Sequence, residues 1–152
     1  MAKWNYAAGH RFRGTEVDVV VEKLVPENTQ KGWVPAYICD VVLAGQTSSI
    51  GELSLRIGYT DLLVKYGGHI GYRINPDSRG QGYAAKACQL ICPIFQSHGM
   101  DVVWITCNPD NWASRKTAER LGCQLVDIVD LPEWVDMYQE GERQKCRYRL
   151  IV

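Results

Sequence analysis

Ile74-Asn75-Pro76-Asp77-Ser78-Arg79-Gly80-Gln81-Gly82-Tyr83-Ala84-Ala85 carries a strand-like run into a glycine turn and directly on into a helix-like run. Such a junction suits an anion. Glycines at 80 and 82 allow backbone angles that a Cβ penalises, so consecutive N–H groups can converge on one point while the next helix aims its positive end there. Arg79 adds a fixed cation at the mouth of the turn.

Upstream of this junction the chain reads as β structure. Residues 17–25 are β-branched and stop at Pro26, which predicts a strand followed by a loop to Gly32. Residues 33–44 and 50–59 predict two strands joined by a turn at 45–49, since Leu53, Leu55 and Ile57 alternate with Glu52, Ser54 and Arg56. An antiparallel hairpin is expected. Residues 61–66 have no clear type, Gly67-Gly68 marks a turn, and 69–74 form a short strand.

Downstream, Ala84, Ala87, Cys88, Ile91 and Phe95 recur at helical spacing and place one apolar stripe toward a sheet. Pro93 removes a backbone donor and clashes with the preceding turn, so a kink is expected there. Residues 101–107 are nearly continuously apolar, as in a covered strand. Asn108-Pro109 predicts the start of a second helix, with asparagine as cap, and Leu121-Gly122 its end. A strand over 123–129, a long acidic loop over 127–142 and a final strand over 144–152 complete the chain.

The 152 residues, 46% of them hydrophobic, suit one globular domain spanning 1–152. Lysine plus arginine equal aspartate plus glutamate at 17 each, which argues against a nucleic-acid partner. No segment has the apolar length of a signal peptide or a membrane span, so a cytoplasmic protein without a membrane partner is expected. The six cysteines lack paired ligand spacing and read as buried free thiols. Cys88 and Cys92 share a helix face, yet with only His98 nearby they make no complete zinc site, and no metal is expected.

Two familiar glycine loops fit poorly. Gly80-x-Gly82-x-x-Ala85 spells a dinucleotide fingerprint, but five residues separate Ile74 from Gly80, and Asp101 starts its strand instead of ending it. A phosphate-binding Walker loop needs lysine and a hydroxyl where Tyr83-Ala84 stand. The pattern that fits is Arg-x-x-Gly-x-Ala, formed by Arg79, Gly82 and Ala84 after a short strand. It resembles the acyl-CoA-binding motif of the GNAT acetyltransferases. A second region, Asn108-Pro109-Asp110-Asn111-Trp112-Ala113-Ser114-Arg115, is similar to that family's other cofactor-contacting segment, closest to the branch of ribosomal-protein amino-terminal acetyltransferases.

The resemblance implies a GNAT-like α/β fold: a central mixed, largely antiparallel sheet flanked by helices, with the usual first helices short or absent because only residues 26–32 separate the first two long strands. It implies acetyl-CoA as acyl donor. Backbone groups near Arg73 and Ile74 would meet pantetheine, amides of Arg79, Gly80, Gln81, Gly82, Tyr83 and Ala84 would hold the pyrophosphate, and Asn111 and Ser114 would face the arm. The enzyme would be an N-acetyltransferase using direct attack by a primary amine of a small molecule or a peptide terminus, with a backbone N–H near Ile74 at the developing oxyanion.

The catalytic groups are less conventional. Many family members carry a tyrosine seven residues after the asparagine as acid for the thiolate, but that position is Ala118. Ser114 is the substitute implied by the ribosomal-protein branch, against a plain helix serine bonded to its own backbone. Glu52 is the candidate general base, with His69 as a second option because an unperturbed histidine titrates near neutrality. Asp127, Asp130, Glu133, Asp136, Glu140 and Glu142, interleaved with Trp134, Met137 and Tyr138, form either an acidic wall for a cationic amine or a solvated loop. The short 26–32 link leaves an open groove, a lid from the acidic loop, or completion by a second copy in a homodimer. The alternative to an enzyme is a catalytically silent acyl-CoA-binding module, suggested by the missing tyrosine.

Overall fold

The computed structural model describes residues 3–152. Strands β1 (Arg11–Arg13), β2 (Val17–Val25), β3 (Ala36–Leu43), β4 (Ser49–Arg56) and β5 (Ile70–Ile74) form one antiparallel sheet in chain order, of which the sequence pattern indicated every strand but β1 and only the β3–β4 pairing. Val17, Val19, Val21, Tyr37, Cys39, Val41, Leu53 and Leu55 turn inward on one face. Fully burying a residue of this size contributes about 1.5–3 kcal/mol, and this face is the larger half of the core. The expected hairpin is β3–β4. It is shorter than the apolar pattern suggested, because Pro35 precedes β3 and Arg56 already turns its N–H to the His69 carbonyl.

Helices α1 (Tyr83–Leu90) and α2 (Cys92–Ser97) cover that face with Ala87, Cys88, Ile91, Ile94 and Phe95. They are the predicted helix broken at Ile91. Pro93 sits in the first turn of α2, where its missing N–H has no intrahelical partner to lose. The second sheet holds β6 (Val102–Cys107), β7 (Gln124–Asp130) and β8 (Gln144–Ile151) in the order β6-β8-β7, with α3 (Trp112–Arg120) between β6 and β7. β6 is covered on one face only, as Val103, Ile105 and Cys107 are buried and Val102, Trp104 and Thr106 half-buried.

Three sequence expectations need correction. The helix over the second region begins after Asn111, not Asn108: the Asn111 Oδ1 accepts from the Ser114 N–H at 3.1 Å, while Pro109 stays in the preceding loop with its carbonyl taken by Arg115. The acidic stretch is not one long loop. Its first residues are the edge strand β7, Leu131 and Val135 are buried, and a short α4 (Asp136–Gln139) leads back to β8. Nor do its carboxylates converge, since Asp127 pairs with Arg147 across the strands, Asp130 meets Gln144, and Glu142 meets Lys145.

The segment between β2 and β3 holds no helix, only the isolated bridge between Asn28 and Trp33. The outer face of the first sheet, opposite α1, therefore carries a cross-strand row of Val20, Asp40, Glu52 and Arg73 with no helix from this segment over it.

Candidate active site

The two sheets touch at one point and then part. The His69 N–H donates to the Trp104 carbonyl at 2.7 Å, and the Trp104 N–H donates back to the His69 ring Nδ1 at 2.9 Å. Beyond it, no ladder joins β5 to β6. In the antiparallel ladder with β4, where Arg56 N–H meets His69 O and Asn75 N–H meets Ile50 O, alternate residues exchange bonds. Tyr72 and Ile74 consequently turn their amide groups to the open edge, and the Ile74 carbonyl is met there by the Arg79 Nε at 2.8 Å.

His69 is fully buried, and this removes it as a base. The Trp104 N–H occupies Nδ1, so the ring proton lies on Nε2 and is donated to the Gly58 carbonyl at 2.8 Å. Burial, with the Arg56 cation nearby, lowers its pKa below the ordinary histidine value. Both nitrogens are consumed in holding the sheets at their branching point.

Beside the open edge of β5 runs a groove of about 610 Å³, lined by Tyr72, Arg73 and Ile74 on one side, the 78–84 turn at one end, and α3 on the other side. A smaller recess of about 370 Å³ adjoins it at Gly80, Gly82 and Arg120. The turn follows local chemistry. Pro76–Ser78 make one 3₁₀ turn, after which Gly80 (φ +81°) and Gly82 (φ +76°) take left-handed angles. Gly82 is the N-cap of α1 and has no side chain to close the helix end, so the first amides of α1 face the groove end uncapped. A Cβ on Gly82 would come within 3.3 Å of the Arg120 guanidinium.

Charge is concentrated here although the chain is neutral overall. Arg73, Arg79, Lys116 and Arg120 line the groove, Lys86 lines the recess in an ion pair with Glu16, and no carboxylate lines either. Uncapped amides, a fixed cation at the turn and a cationic rim fit a polyphosphate in an extended arm.

The family described as "Acetyltransferase (GNAT) domain" matches residues 4–124. The chain belongs to the GNAT acetyltransferases. It is thus an acetyl-CoA-dependent N-acetyltransferase. No curated protein sequence matches it. Among solved structures, it resembles the RimL ribosomal L7/L12 alpha-N-protein acetyltransferase in complex with coenzyme A, with a TM-score of 0.68, 16% identity, and coverage of 94% of this chain and 98% of that one. The ribosomal-protein-S5-alanine acetyltransferase from Vibrio fischeri superposes with a TM-score of 0.67 at 15% identity, over 93% of this chain and 96% of that one. The self-immunity acetyltransferase MccE, in complex with acetyl-CoA and AMP, gives 0.60 at 22% identity, over 77% of this chain and 61% of the other. At these identities the likeness is one of fold.

Against the GNAT expectation, the groove brings together Arg73, Ile74, Arg79, Gly80, Gly82, Tyr83, Ala84, Asn111 and Ser114, while Gln81 lies in the adjoining recess. Glu52 lines neither. It is exposed, stands opposite Arg73 in the strand register, and points to the outer face. Ala118 is fully buried in the core. Sequence reading missed Tyr72, whose hydroxyl lies 2.6 Å from Ser114 Oγ and 3.1 Å from the Ser114 carbonyl oxygen. Its position midway along the cofactor strand, facing the same side as Ile70 and Ile74, is the signal that could have found it.

Proposed function

We propose that residues 1–152 form one acetyltransferase-like domain that acetylates a primary amine of a small molecule or of a peptide or protein terminus. The observation that carries this reading is the cationic groove between the open edge of β5 and α3, with uncapped α1 amides at one end and the Ser114 hydroxyl farther along. In this reading the pyrophosphate sits on the 79–84 amides, with Gln81 toward the adjoining recess. The pantetheine arm runs along the open edge at Tyr72 and Ile74, and an edge N–H there meets the developing oxyanion. Removing one such donor typically costs about 10²–10³ in rate.

The amine arrives from the outer face. Support comes from the lack of a helix between β2 and β3, which leaves the row Asp40, Glu52 and Arg73 accessible beside the open edge. Asp40 and Glu52 draw a cationic amine, and Glu52 takes its proton through water before attack. The ribosomal-protein enzymes it resembles in fold favour a terminus as acceptor. Six free thiols, four of them buried, suit a reducing cytosolic setting.

The test is thiol release from acetyl-CoA across a panel of amines and short peptides with free termini, with the product weighed for one added acetyl group. Glu52→Gln is run beside the wild type. We expect release above the hydrolytic background for at least one amine, and a loss of kcat/KM in Glu52→Gln that shrinks as pH rises and the amine deprotonates by itself. CoA binding without release for any amine would refute the reading.

A further inference from the structure

A tyrosine hydroxyl has one hydrogen, and that of Tyr72 has two acceptors within reach, both on Ser114: the backbone carbonyl at 3.1 Å and Oγ at 2.6 Å. The two choices have different consequences. If Tyr72 donates to the carbonyl, the Ser114 hydroxyl points its own hydrogen back at the Tyr72 oxygen. If Tyr72 donates to Oγ, the Ser114 hydrogen is released from Tyr72 and is free to turn to the groove that both residues line, with the buried Cys107 sulfur as its other neighbour. Only hydroxyl hydrogens rotate between the two, and no heavy atom moves.

The surroundings keep this pair neutral and ordered. Burial raises the pKa of Tyr72, so its proton is held at any working pH. The titratable groups facing it are thiols, Cys88 of α1, Cys107 at the end of β6 and Cys123 after α3, and burial raises each of them as well. Ser114 is fixed at its backbone, where its N–H is bound by the Asn111 cap. An anion appearing in the groove beside Ser114 favours the second arrangement, because a hydrogen bond to a charged acceptor is roughly twice as strong as a neutral one.

We propose that Tyr72 is a positioning residue for the departing thiolate: by donating to Ser114 Oγ it turns the Ser114 hydroxyl hydrogen onto the coenzyme A sulfur, the task that Ala118 cannot perform. This rests on the reading that the groove holds the thioester beside Ser114. In the transfer, the C–N bond forms and the C–S bond breaks. The proton lost by the attacking nitrogen reaches the sulfur through solvent, and the Tyr72–Ser114 pair keeps both of its own protons.

The test needs no acceptor. The affinity of free CoA, whose alkyl thiol titrates at alkaline pH, is measured by calorimetry from pH 7 to pH 10, with acetyl-CoA, which has no titrating sulfur, as the reference at each pH. A donor at the sulfur favours the thiolate, so the wild type should gain about tenfold in CoA affinity relative to acetyl-CoA as pH rises. Tyr72→Phe and Ser114→Ala should each remove most of that gain, the double variant should remove no more than either, and Ser114→Thr should restore it. Should Tyr72→Phe fail to fold, Tyr72→Met takes its place, since Ser114→Ala and Ser114→Thr report on the sulfur contact and not on the tyrosine. Two results overturn the inference alone: a wild-type ratio that stays flat, or a Tyr72→Phe variant that keeps the gain Ser114→Ala loses. Absence of CoA binding in the wild type at every pH overturns the cofactor reading and this inference with it.

Discussion

Gly82→Ala separates what the left-handed cap costs the fold from what it contributes to the ligand. The residue stands at φ +76°, and an alanine there is strained by about 1–2 kcal/mol whatever the space around it. Its Cβ would meet the Arg120 Nη1 at 3.3 Å, the end of a flexible side chain that can yield, so little is added by contact. Gly99 is the control. It has φ +73°, open space around its absent Cβ, and a place after α2 that lines neither the groove nor the recess. For a chain of this length both alanine variants should lose about 2–8 °C in melting temperature. Only Gly82→Ala should weaken CoA, because a methyl at the uncapped end of α1 holds the pyrophosphate off the amides. A hydrogen bond to a charged group is worth about 1.5–3 kcal/mol, so loss of one predicts at least a tenfold rise in Kd by calorimetry. Equal CoA affinity in the two variants, despite equal loss of stability, would refute the cradle.

Two further outcomes follow from buried groups. His69 has a depressed pKa in the folded protein, so its contribution to stability is present above the unfolded value of about 6.5 and is lost as pH falls from there toward the folded pKa. Denaturant midpoints of the wild type should therefore drop below pH 6.5, and His69→Gln, already less stable at neutral pH, should show a shallower drop. An unchanged slope would mean that His69 does not link the sheets as its bonds indicate. Restoring the family's tyrosine with Ala118→Tyr should fail as a repair: position 118 is fully buried, and the added ring costs about 1–3 kcal/mol or more by overpacking, read as a lower melting temperature without faster thiol release.

What could be read from sequence was local, and what could not was not. The 79–84 turn announces itself because glycine is needed at the two positive φ angles, and Pro93 breaks its helix by chemistry confined to one turn. Asn108 and Asn111 are equally good caps by composition. The choice falls to Asn111 because Pro109 is drawn into the loop by the Arg115 side chain, itself held by the Tyr148 hydroxyl on β8. The acidity of residues 127–142 resembled a solvated loop for a similar reason: Asp127 is half of a cross-strand pair whose other half, Arg147, lies 20 residues away. Tyr72 and Ser114 are 42 residues apart, and no periodicity within either segment reports that they meet.

The same division runs through the site. Groups that would grip the donor belong to one continuous stretch of chain, whereas those that would manage the leaving sulfur are assembled across the branching point that His69 and Trp104 hold. That geometry explains why the usual tyrosine is missing without implying a silent protein. On α3, Ser114 and Ala118 share one helix face, Ser114 where that face lines the groove and Ala118, one turn on, where it is closed over by the core, so no larger side chain at 118 has room to reach the sulfur. A hydroxyl can then reach Ser114 only from the opposite wall, and the inward-facing position of β5 at that height is Tyr72. Whatever loosens the meeting of β5 and β6 should therefore disturb the Tyr72–Ser114 contact before it disturbs the glycine turn, whose conformation is set within its own residues.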